Sequence, residues 1–159
     1  MIKKTVKYVD FEGMEREEDL YFNIDEAEIV DWVTQENGDI ISIIIELTKA
    51  TNPLQVIPKV KEFVLRAYGV KSKDGRSFIK SPEVVENFKY SKAFYEVYME
   101  VASNDKALIE FIDGILPEKY RPTNLSDEEV EETLKGIDPS ILSENNAQKL
   151  IERIRETSK

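Results

Sequence analysis

The 159-residue chain contains no cysteine and no histidine. Without cysteine there is no disulfide framework, thiol nucleophile, cysteine zinc site or iron–sulfur cluster. Without histidine the side chain best suited to proton transfer near neutral pH is missing, and Ser–His–Asp chemistry and His-ligated metals go with it. Carboxylate-only mechanisms and oxygen-ligated Mg²⁺ or Ca²⁺ sites survive both absences. Long apolar runs are missing too. The longest stretch, Ile40-Ile41-Ser42-Ile43-Ile44-Ile45, falls far short of the ~20 residues a membrane span needs. The start, Met1-Ile2-Lys3-Lys4-Thr5, is basic but lacks a following apolar region, so no signal peptide is expected. Six Gly and six Pro are too few for a low-complexity chain.

What is present suits one packed domain with an appendage. Hydrophobic residues make up 41%, and seven Tyr, seven Phe and one Trp supply large core pieces. Acidic residues outnumber basic ones by 32 to 22, a net charge of −10. That excess argues against wide contact with nucleic acid or an anionic membrane. It suits solubility or a basic partner, and a cytoplasmic location is expected.

The first 23 residues read as a β-hairpin. Thr5 to Phe11 favours strand, Asp10-Phe11-Glu12-Gly13 is a turn signal, and Glu17 to Phe22 returns with Leu20 and Phe22 on one face. Asp25-Glu26-Ala27-Glu28 fits a capping box, and Ile29, Trp32 and Val33 form one helical stripe that Asn37-Gly38-Asp39 stops. The isoleucine-rich run Ile40 to Ala50 is ambiguous by periodicity. Its neighbours favour helix. A further helix is expected from Pro53 or Pro58 to Tyr68, burying Val60, Phe63, Val64 and Ala67, with Gly69 as its cap. Residues 70–81 read as a loop. Ser81-Pro82-Glu83 opens a helix whose Phe88, Phe94, Tyr95, Tyr98, Met99 and Ala102 supply a large apolar surface. Asn104-Asp105 restarts the helix, Leu108, Phe111, Ile112 and Ile115 line its buried face, and Gly114 and Pro117 end it.

The character changes after Pro117. The expected division is a body at 1–117, a linker at 118–125 and a helical appendage at 126–159. Ser126-Asp127-Glu128-Glu129 is a second capping box, and Ser143 to Thr157 reads as a last helix. Residues 126–159 hold nine acidic and five basic side chains. The expected fold is α+β and mostly α-helical. An N-terminal β-hairpin packs on a bundle of about five helices, with the C-terminal helical appendage beyond it.

Four features could carry function. The acidic run Asp10, Glu12, Glu15, Glu17, Glu18 and Asp19 lacks calcium-loop spacing. It reads as a solvated hairpin whose charges keep an edge strand from pairing with other chains. The loop Lys71 to Ser77 lacks Walker spacing; Lys73, Asp74, Gly75 and Arg76 form either a plain turn or a contact for a partner or neighbouring subunit. The aromatic residues Phe88, Tyr90, Phe94, Tyr95 and Tyr98 could stack bases, but with few basic neighbours they read as core. The stripe Ala147, Leu150, Ile151 and Ile154 can fold back onto the body or serve as a helix-in-groove ligand for another protein.

Three stretches in register resemble the tail assembly chaperones of long-tailed phages and prophages of Gram-positive bacteria. They are Val6 to Gly13 with Leu20-Tyr21-Phe22-Asn23, Tyr68 to Ser72 with Asp74 to Pro82, and Phe111 to Pro117. The resemblance covers about 1–117; residues 118–159 carry no motif of it. It implies a protein that is not an enzyme and has no catalytic, cofactor or metal residues. Such proteins coat the aggregation-prone tape measure protein during assembly and help recruit tail tube subunits. They are absent from the finished virion. Self-association is compatible with this role. Many are made in two lengths by a translational frameshift, and 126–159 could be the short form's own tail or part of an extension. Two rivals stand beside it. One is an acidic regulator or DNA mimic that blocks a basic nucleic-acid-binding protein; here the acids are interleaved with lysines. The other is a metal-dependent hydrolase using only Asp and Glu, for which no spaced motif is present.

Overall fold

Strand β1 (Ile2–Val9) pairs antiparallel with β2 (Glu15–Phe22), from Ile2 opposite Phe22 to Val9 opposite Glu15. The expected turn joins them. The Asp10 carboxylate accepts the backbone N–H groups of Glu12 and Met14, both at 2.9 Å, and receives Arg16 Nε at 2.7 Å. Gly13 takes φ +80, where a side chain would be strained. The Met14 backbone bond, then Arg16, holds the Asp10 carboxyl below the usual carboxylate range. The computed structural model describes residues 1–36, 43–44 and 53–129, with 53–56 as backbone only.

The acidic run is used in cross-strand pairing. Asp19 accepts from Thr5 Oγ1 at 2.6 Å and faces Lys3, while Glu17 faces Lys7 across the strands. The opposite face is apolar. Val6, Leu20 and Phe22 are buried there under the helices, which supplies the cover a lone hairpin lacks.

Helix α1 (Glu26–Glu36) starts at the expected box, with Asp25 N–H donating to Glu28 Oε2 at 2.8 Å. Ile29 and Trp32 are buried. The expected stop at 37–39 and most of the run 40–50 lie outside the described residues; Ile43 and Ile44 are helical, and Ile44 is buried. Helix α2 (Pro53–Ala67) begins at the earlier of its two candidate prolines, with Pro58 inside it. Val60, Phe63, Val64 and Ala67 are buried as expected.

Two corrections follow. Gly69 does not cap α2. It lies in a strand, β3 (Tyr68–Lys71), that starts directly after Ala67. Residues 70–81 are not a plain loop either, because β4 (Phe78–Ile79) pairs back on β3, placing Val70 opposite Ile79. β3 also pairs with β2 through Tyr21 opposite Gly69 and Phe22 opposite Tyr68. The result is one antiparallel sheet in the order β1-β2-β3-β4. A Cβ at Gly69 would stand 2.7 Å from the Phe78 ring, so glycine is what lets that ring lie against the strand.

The helix opened by Ser81 is two helices, α3 (Pro82–Lys89) and α4 (Lys92–Ser103). Ser91 separates them: its hydroxyl donates to Phe88 O at 2.7 Å and accepts from Phe94 N–H at 3.1 Å. Phe88, Phe94, Val97 and Val101 are buried, but Tyr95 and Met99 point outward, a departure from the expected apolar surface. Tyr90 is also exposed rather than core. Helix α5 (Asp105–Ile115) opens at Asn104, whose side chain accepts from Lys106 and Ala107 N–H groups. Gly114 lies in the last turn of α5, which ends at Ile115, between the two expected terminators. Ile2 packs over it, and a Cβ there would stand 2.2 Å from Ile2 Cγ2.

The core is aromatic at its centre. Phe22 meets Tyr68, Phe88 and Phe111 at centroid distances of 5.9, 6.0 and 5.2 Å. As expected, the fold is α+β and mostly helical. Beyond Leu116 two 3₁₀ turns, Glu118–Tyr120 and Pro122–Asn124, lie against the helices. Arg121 Nε donates to Leu116 O at 3.2 Å, Thr123 N–H donates to Asp113 Oδ1 at 3.3 Å, and Lys119 pairs with Glu26. Ser126 and Glu129 close the second capping box reciprocally, at 2.9 and 3.2 Å.

Candidate partner-binding site

The β3–β4 connection holds Lys73, Asp74, Gly75 and Arg76 together at one tip. Asp74 Oδ1 accepts from Ser72 Oγ at 2.6 Å and from Arg76 N–H at 3.1 Å. Ser77 N–H donates to Ser72 Oγ at 3.0 Å, and Gly75 turns the chain at φ +72. The Ser72 hydroxyl, then the Arg76 amide, keeps the Asp74 carboxyl below its ordinary range. The carboxylate is thus occupied inside the turn, and the side chains of Lys73 and Arg76 are left exposed at the tip. The other expected contact, Ala147, Leu150, Ile151 and Ile154, lies outside the described residues.

Lys80, at the foot of β4, ties three elements together. Its ammonium donates to Asn23 O at 2.6 Å, Glu28 Oε1 at 2.6 Å and Arg66 O at 2.8 Å. All three of its N–H donors therefore have partners. They join the end of β2, helix α1 and the C-terminal turn of α2. At that turn the cation also meets the negative end of a helix.

Beside Lys80 a groove of about 610 Å³ opens between α2 and α3. Pro58, Leu65 and Val85 give it apolar walls, and Lys61, Arg66, Lys80 and Lys89 bring four cations against Glu28 and Glu62. Arg66 is positioned by Glu62 at 2.8 Å and lies over the Trp32 ring at 4.4 Å. Sequence reading did not single out this groove. Lys61 and Leu65 lie one turn apart on α2, but only the fold brings Lys89 of α3 opposite them. Among the described residues, Trp32 Nε1 is the buried side-chain polar atom that finds no hydrogen-bond partner.

A second surface is apolar. Phe11 at the first turn is 75% exposed, with Lys92 of α4 over its ring at 4.9 Å. Tyr95 and Met99 continue outward along α4 from that point. Phe11 was legible only as a turn residue, because its contact with Lys92 is distant in sequence.

The described residues hold no cluster of three or more acidic side chains placed to bind a metal ion. Nor do they include a helix long and apolar enough to cross a membrane. No curated protein and no solved structure matches the chain. A family model described as phage tail assembly chaperone matches residues 1–156, beyond the 1–117 that the three resembling stretches cover. With nearly the whole length matched, the chain belongs to the phage tail assembly chaperone family.

Proposed function

We propose that the chain binds the tape measure protein during tail assembly and helps recruit tail tube subunits. It does so by reversible protein–protein contact, without catalysis, in the cytoplasm of the host, and leaves before the virion is finished. The family match across residues 1–156 carries this reading. The surface supports it: exposed Phe11, Tyr95 and Met99 offer apolar contact, and Lys73 and Arg76 stand on a hydrogen-bonded tip. The stripe Ala147, Leu150, Ile151 and Ile154 would add a helix-in-groove contact. A net charge of −10 keeps coated complexes apart.

Co-expression with the tape measure protein of the same genome tests this. The expected result is a larger soluble fraction of that partner, in a complex with several copies of this chain by light scattering. A folded chain that neither solubilises nor binds it would overturn the reading. Leu150→Asp with Ile151→Asp is expected to weaken the complex while the unfolding temperature of the body stays the same.

A further inference from the structure

We infer that the groove between α2 and α3 is the seat for an acidic amphipathic segment of a protein partner. Its carboxylates would pair with Lys61 and Lys89, and an apolar side chain would rest on Leu65 and Val85. The inference rests on the tail-assembly reading for the identity of the partner but not for the chemistry of the site.

Charge is the first argument. The molecule carries −10 overall, yet this groove gathers four cations against two carboxylates. Both carboxylates are engaged, Glu28 by Lys80 and Asp25 N–H, and Glu62 by Arg66. Lys80 is spent on structure. Lys61 and Lys89 have no ion-pair partner among the described residues. Their ammonium groups flank the groove with the least competition for an incoming carboxylate. An isolated surface pair is worth little. A carboxylate that closes over apolar Leu65 and Val85 is partly desolvated, and its pairing is worth more.

Shape is the second argument. A cleft of about 610 Å³ between two helices is within the range that takes several side chains of a bound segment. Its walls are helical, so a third helix can lay an apolar stripe between them. The floor is also fixed in advance. Lys80 joins β2, α1 and α2, and Arg66 is held by both Glu62 and the Trp32 ring, so little ordering cost falls on binding.

The site carries its own reporter. Trp32 is the only tryptophan in the chain, and Arg66 connects its ring to the groove. The test uses the full chain and peptides of about 15 residues tiled along the tape measure protein, long enough to form a helix when bound. Tryptophan in a peptide is replaced by phenylalanine. Binding is read by Trp32 emission and by calorimetry, beside the co-expression assay.

Acidic amphipathic peptides are expected to bind and to shift Trp32 emission. Lys61→Glu with Lys89→Glu should weaken them about tenfold or more, and Lys61→Gln with Lys89→Gln by less, with unfolding temperatures unchanged. The salt dependence of binding should flatten in both variants. Undiminished peptide binding in the charge-reversed chain would overturn the site. So would equal competition by inorganic phosphate or a single-stranded oligonucleotide, which would mark a general anion site. If the tape measure protein is solubilised but no peptide binds, the groove is wrong and the chaperone reading stands. If acidic peptides bind but co-expression fails, the groove stands and the solubilising role is wrong.

Discussion

The two hairpins of the sheet are built in opposite ways. The first joins two eight-residue strands by a turn whose bonds are all local, with Asp10 reaching Glu12, Met14 and Arg16. The second pairs a strand of four residues with one of two. Such short strands cannot hold themselves together in water. Beyond the second hairpin's own turn and the Phe78 ring on Gly69, two distant contacts hold it: β3 against β2, and Lys80 against Asn23, Glu28 and Arg66. The long ladder of the first hairpin is set by its own residues; the second needs the fold around it as well as its own turn.

Four substitutions break or sharpen that contrast. Phe22→Ala removes a fully buried ring shared by both hairpins, since it touches Tyr68 as well as Phe88 and Phe111. It should cost about 3–5 kcal/mol of unfolding free energy by urea titration, with both hairpins losing hydrogen-exchange protection together. Lys80→Met strips partners from two backbone carbonyls and from Glu28. A loss of about 2–3 kcal/mol is expected. Amide protection should fall at Val70 and Ile79 while the β1–β2 ladder keeps its own.

Gly69→Ala should cost about 1–3 kcal/mol, because the new methyl displaces the Phe78 ring. Again the first hairpin should be spared. An Ala variant as stable as the wild type would show that the ring moves aside freely.

The smallest effect belongs to the first hairpin. Burial, helped by a hydrogen bond with Glu18, pushes the Tyr8 phenol up to about 12. The unfolded chain ionises near 10. The folded state therefore holds the proton longer, and its contribution is whole below about pH 10 and fades as pH rises toward about 12. Tyr8→Phe should flatten the fall in stability across that window, as read by denaturation at a series of pH values. Equal slopes in the two proteins would assign the alkaline loss to other groups.

The same contrast explains what could be read from the sequence. Features whose partners lie within a few residues were legible: the Asp10–Gly13 turn, the boxes at Asp25 and Ser126, and the start at Ser81. The apolar stripes of α1, α2 and α5 were legible because burial follows helical period. The β3–β4 hairpin was not, since nothing in residues 68–79 announces that β2 will lie alongside. Gly69 looked like a helix cap because it follows a helix; its use is to admit a ring nine residues later. Ser91, by contrast, was a local signal, a serine capping the helix that starts at Lys92, but the apolar residues on both sides of it, Phe88 and Phe94, hid the break. Of the two expected contact sets, Lys73 to Arg76 does form one tip. The groove of Lys61 and Lys89 needed two helices to be docked before it existed at all.

The seat of Ile2 on Gly114 has a consequence in time. The apolar side of the first hairpin is closed by α4 and α5, and the last of that cover is made at Gly114, near the end of α5. At ~5–20 residues per second on the ribosome, roughly 5–20 s separate the emergence of Phe22 from that of Ile115. Through that interval the cover over Val6, Leu20 and Phe22 is incomplete. The other face of the strands, bristling with Lys3, Lys7, Glu17 and Asp19, is what the nascent chain shows to its neighbours meanwhile. A chain that belongs to a chaperone family thus begins its own life as one in need of shelter, and carries that shelter in its charges.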